Sequence, residues 1–71
     1  MKTLQDIRNA IAGVAVTALN DNESAHCEED RIYIGILQLI ADGEFKTKAE
    51  MQEAAALGVQ LSKLEYRRWY A

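Results

Sequence analysis

Apolar residues recur through the first part of the chain at Leu4, Ile7, Ile11, Val14 and Ala18, spaced three, four, three and four. On a helix of 3.6 residues per turn that spacing draws one stripe down one face. Thr3 stands at the head of the stripe with Asp6 three residues later, the place of a capping-box acid, and Asn20, Asp21 and Asn22 supply turn-forming residues at its end. The pattern predicts a first helix running from Thr3 to about Leu19. It offers a seam either to the rest of the domain or to a second copy of the chain.

The segment RIYIGILQLIA, Arg31 to Ala41, is different, because Ile32, Ile34, Ile36, Leu37, Leu39 and Ile40 put apolar side chains almost all the way round. Such a segment is expected where an element is covered on more than one side. The alternation of Ile32, Ile34 and Ile36 would also suit a strand. Its flanks favour a helix: the acidic stretch before it suits the first turns of a helix, and Gly43 supplies a left-handed stop. We read a central helix over about residues 25–42, with Tyr33, Ile36, Leu37 and Ile40 on one face and Ile32 and Leu39 widening it.

Downstream, Phe45 precedes Thr47-Lys48-Ala49-Glu50, a full capping box. The helix it starts is expected to turn Met51, Ala54, Ala55 and Leu57 inward. Gly58 can end it, and Ser62-Lys63-Leu64-Glu65 is a second capping box from which a last helix could begin. The alternative is one helix passing straight through Gly58, at a cost of about 1 kcal/mol relative to alanine. Together these elements predict an all-α fold, a compact bundle of three to four short helices around the central hydrophobic one, in a single small domain over residues 1–71.

Composition agrees with that reading. The chain has 71 residues, 49% of them hydrophobic, no proline and four glycines, which leaves little material for loops and no room for a separate catalytic domain. A stretch resembling a secretory signal, Ala10 to Leu19, is interrupted upstream by Asp6, Arg8 and Asn9, and nothing approaches the roughly 20 apolar residues of a membrane span. The single cysteine, Cys27, rules out an intrachain disulfide and fits a reducing, cytoplasmic setting.

Charge is uneven. The net charge is -3, yet Asp21, Glu23, Glu28, Glu29 and Asp30 form an acidic stretch, whereas Lys63, Arg67 and Arg68 gather near the far end. There the aromatics Tyr66, Trp69 and Tyr70 fall on one helical face beside two guanidinium groups, a residue set that dominates protein-interface hot spots. They could equally close the bottom of a small core. His26 and Asp30 lie one turn apart beside Cys27, but without a second cluster they cannot close a tetrahedral site, so no metal is expected. No cofactor motif is visible either, and Cys27 among carboxylates is poorly placed for a nucleophile.

Residues 51–69 resemble the helix-turn-helix pattern of small DNA-binding regulators, with Ala54, Leu57, Gly58, Val59 and Leu64 at the small, apolar and turn positions. The chain departs from that pattern at Glu53, where an apolar residue is usual, and at Gln60, where a polar cap is. The resemblance implies that Ser62, Lys63, Arg67 and Arg68 would face a DNA groove or its phosphates. The residues themselves lead first to another expectation: a noncatalytic regulatory, adaptor or inhibitor protein that binds another protein or itself, as a homodimer. Tyr66, Arg67, Arg68, Trp69 and Tyr70 would make the contact, with Glu28, Glu29 and Asp30 steering a basic partner.

Overall fold

Thr3 opens the first helix as its pattern requires. Its hydroxyl accepts from the Asp6 amide at 3.1 Å, and the Asp6 carboxylate accepts from the amides of Thr3 and Lys2. Those amide bonds hold the Asp6 carboxyl below its ordinary pKa. In the computed structural model, which describes residues 1–68, helix α1 spans Leu4–Ala18 and buries Ile7, Ile11 and Val14. The predicted seam is therefore an internal one.

Helix α2, Asn22–Ala41, starts earlier than the sequence suggested. Asp21 is the cap, accepting from the Ser24 amide at 3.0 Å and the Ser24 hydroxyl at 2.7 Å. An aspartate caps far better than the alanine expected to begin the helix, so α2 starts three residues earlier and takes in Glu23 of the acidic stretch as well. At the other end Gly43 adopts φ +73°, where a side chain would be strained, while the Gly43 and Glu44 amides donate back to Ile40 and Leu39. The chain then turns, and Phe45 is buried beneath the turn.

Helix α3, Lys48–Ser62, is capped by Thr47, and its Glu50 carboxylate reaches back to the Lys46 amide at 3.2 Å. It runs unbroken through Gly58 and stops at Ser62, so neither expected shape is realised in full. Ser62 does not open a further helix: its hydroxyl donates to the Val59 carbonyl at 2.6 Å and helps to close α3. Continuity also shifts the inward face. Ala54, Leu57 and Leu61 are buried, whereas Met51 and Ala55, expected inside, are exposed.

The described residues form an all-α bundle of three helices with no strand. Their core is one cluster, in which Ile32, Ile36 and Leu39 of α2 join Ile7, Ile11 and Val14 of α1 and Ala54, Leu57 and Leu61 of α3. Arg8 and Glu53 pair at 2.7 Å across the α1 and α3 surfaces, an exposed contact of small energetic weight. No helix among the described residues is long and apolar enough to cross a membrane.

Candidate functional site: an open apolar face and a buried ion pair

Helix α2 is only partly wrapped. Ile36 is 5% exposed, but Leu37 is 62% and Ile34 65% exposed. Each residue advances about 100° round a helix, so Leu37 lies beyond the arc that α1 and α3 cover. On the neighbouring flank α3 presents Ala55, Gly58 and Val59, with Val59 54% exposed. Because Ala55 and Gly58 are small, a groove of about 370 Å³ remains between the two helices, walled on the α2 side by Tyr33, Ile36, Leu37 and Ile40. Its lining holds no charged residue. Cover on more than one side was expected of α2, and α1 and α3 supply it; this face is where that cover stops.

The C-terminal segment packs back on the bundle. After Ser62 the chain leaves the helix, and Leu64 and Tyr66 lie half-buried against the core. Arg68 then reaches Glu29, in the acidic half of α2. Its Nη2 and Nε donate to the two carboxylate oxygens at 2.7 and 3.0 Å, a bidentate pair. Glu29 is buried, at 3% exposure. The same guanidinium donates to the Leu64 carbonyl at 3.0 Å and to the Leu61 carbonyl at 3.4 Å, so it also satisfies the end of α3, where a cation is favoured. These bonds hold Arg68 above the ordinary arginine pKa, with the Glu29 hydrogen bonds as the main cause.

Tyr66 lies beneath this pair, with the Arg68 guanidinium 4.2 Å from its ring centre. Its hydroxyl is buried without a hydrogen-bond partner. Loss of solvation, then the nearby Glu29 charge, pushes its pKa up to about 12. Tyr33 is shifted in the same direction, first by burial and then by Glu29.

The two sets of residues expected to meet a partner thus meet each other. Glu29 and Arg68 are spent on an internal contact and are not available to steer or grip a second molecule. Glu28 is half-buried and accepts from the Thr17 hydroxyl at 3.1 Å, which ties α2 to α1. Among the three acids only Asp30 is exposed, 3.7 Å from His26. Tyr66 serves the core, while Arg67 is exposed; Trp69 and Tyr70 lie outside the described residues. Of the residues implied by the helix-turn-helix resemblance, Ser62 and Lys63 are exposed at the end of α3, and Arg68 points inward. The glycine of that pattern, Gly58, lies within a continuous helix.

His26, Glu29 and Asp30 each bring one potential ligand atom within 4.8 Å of the others. Both Glu29 oxygens are already held by Arg68, so a cation there would have to displace the guanidinium. Sequence reasoning missed the open face, although a signal existed: Ala55 and Gly58, one turn apart, are too small to cover Leu37. Compared with known proteins, the chain matches no family model, no curated protein and no solved structure.

Proposed function

We propose that this chain is a noncatalytic binding protein, a small regulator or adaptor, that acts by packing the α2/α3 face against a helical surface of another protein chain. One observation carries the reading: Ile34, Leu37 and Val59 stay exposed together beside a groove lined by no charged residue. A groove between two helices, floored by Ile36 and Gly58, suits the i, i+3, i+4 ridge of an apolar helix. The chemistry of the face is apolar rather than ionic. Arg68, the base with the most hydrogen bonds in the C-terminal segment, is turned inward, and the net charge of -3 disfavours phosphate backbones. The exposed thiol of Cys27 suits a reducing compartment such as the cytoplasm.

A photo-crosslinking side chain introduced at Val59 tests this in the cells from which the sequence comes, with one at Asn9, exposed on α1, as the comparison. The reading expects adducts of discrete mass from position 59, lost when Leu37→Glu is added, and none from position 9. Equal labelling from both positions, or none from 59, overturns it.

A further inference from the structure

We infer that residues 63–68 form a releasable strap, a bar held across one end of the α2/α3 groove by Arg68 and Glu29, and that the chain seated in the groove displaces it. The inference rests on the reading that this face binds a protein chain, and adds how the face is regulated.

The groove runs along α2 from Ile40 to Tyr33 and along α3 from Ala55 to Ser62. At one end the 42–47 turn joins the two helices. That end is fixed: Gly43 stops α2, Thr47 caps α3, and Phe45 is buried beneath the turn. At the other end the chain leaves α3 at Ser62 and crosses to Glu29, one turn beyond Tyr33 on α2. The strap thus spans the gap between the two walls at the point where both stop.

The length it leaves is short. At 1.5 Å per residue the wall from Tyr33 to Ile40 is about 10 Å long. Eight residues line the groove, whereas a stable protein interface engages about 20–30 on each side. A partner helix gains further contact only by extending past one end, and of the two ends only the strap can give. There it meets Arg68. Opening the strap carries the face on to Glu29 and frees the half-buried Leu64 and Tyr66 to join the contact.

What holds the strap is separable from the core. Arg68 donates to both Glu29 oxygens and to the carbonyls of Leu61 and Ser62 at 3.4 and 3.5 Å, and the rest of the hold is Leu64 and Tyr66. Against it, docking strips water from both charges and buries the Tyr66 hydroxyl without a partner. Such an ion pair contributes little net stability once desolvation is counted, and serves instead to select between arrangements of the chain. A partner that fits only the open strap draws the equilibrium toward it, and its apparent affinity rises in proportion to the open fraction.

Hydrogen exchange on the purified full chain tests the strap by itself, with no partner present. The Arg68 Nε–H, which bonds Glu29 at 3.0 Å, should be at least about tenfold less protected than the amides of Leu57 and Leu61 inside α3. Protection that matches those amides would mean that strap and core open only together, and overturns the inference. The crosslink at position 59 then tests the coupling. Arg68→Ala should raise the adduct yield at least about threefold, and Tyr66→Phe, which removes the unpartnered hydroxyl and so tightens the strap, should lower it by about as much. The opposite signs exclude a general loss of folding as the cause. A yield that either variant leaves unchanged, or that Arg68→Ala lowers, overturns the strap while leaving the binding face intact. No adduct from position 59 in any variant removes the reading of the face, and this inference with it.

Discussion

Ile36 and Leu37 are neighbours on α2 with opposite surroundings. The first is buried in the core cluster, and the second faces outward over a groove. Leucine and isoleucine are equally apolar, so the difference lies in what stands opposite. On the covered side α1 offers Ile7, Ile11 and Val14 and α3 offers Ala54, Leu57 and Leu61. On the open side α3 offers Ala55 and Gly58, and the small residues leave the space unfilled. Burying a leucine contributes about 1.5–3 kcal/mol. The single chain forgoes most of that at Leu37, a loss that association can recover.

Alanine at each of the two positions tests this contrast most severely. Ile36→Ala should destabilise the chain by about 2–5 kcal/mol, the range for truncating a buried aliphatic residue. A domain of this length has only about 4–10 kcal/mol in total, so the variant should be largely melted near body temperature. Leu37→Ala should change the stability of the single chain by less than about 0.5 kcal/mol. Urea titrations at low protein concentration separate the two. Equal costs would mean that the face is covered after all, and a Leu37 cost that grows with protein concentration would mean that association covers it.

Much of this contrast was legible before the structure, and its limits are physical. The α1 stripe, the Thr47 cap and the Gly43 stop are local signals, read within a few residues, and all three act as expected. Ile34 and Leu37 were read as covered because a run of apolar residues shows what a helix could bury, whereas only the packing of a second helix decides what it does bury. Glu28, Glu29 and Asp30 were read as free to steer a partner for a similar reason. Glu29 is a buried acid because Arg68, 39 residues away, reaches it, and no periodicity encodes a pairing across that distance. The second capping box failed because Ser62 had an alternative partner: its hydroxyl bonds the Val59 carbonyl of the helix already formed.

The strap formed by residues 63–68 offers a second, smaller contrast with the open face, since it is polar where the face is apolar and closed where the face is open. Arg68→Ala leaves the Glu29 carboxylate without its partner and should cost about 2–3 kcal/mol, below the usual range for a buried pair because the Arg68 side chain is 18% exposed and its removal lets water in. Tyr66 supplies the readout. Its folded pKa of about 12 lies above the ordinary value of 10.0, so the neutral phenol favours the docked state. That contribution is fully present below pH 10 and is lost as pH rises from 10 through 12, where the undocked strap ionises first. Tyrosinate absorbance in the variant should show this transition falling toward 10, because burial, its main cause, goes with the strap. A transition that stays near 12 would show that Leu64 and Tyr66 keep the strap docked by themselves.

Gly58→Ala should give the smallest effect and the most discriminating one. Gly58 lies inside α3 with ordinary helical geometry, so alanine there should stabilise the chain by about 0.5–1 kcal/mol through helix propensity and a less disordered unfolded state. The added methyl carbon would lie 3.6 Å from Ile36 Cδ1, an ordinary contact that requires no shift. For a domain of this size the gain corresponds to a melting temperature raised by about 2–8 °C. The same methyl group raises the floor of the groove, where the partner's ridge is to lie, so association should weaken while stability rises. If both rise together, the groove does not receive the ridge and the exposed Ile34 and Leu37 make contact on their own; if stability falls, α3 packs more tightly on Ile36 than the open face implies.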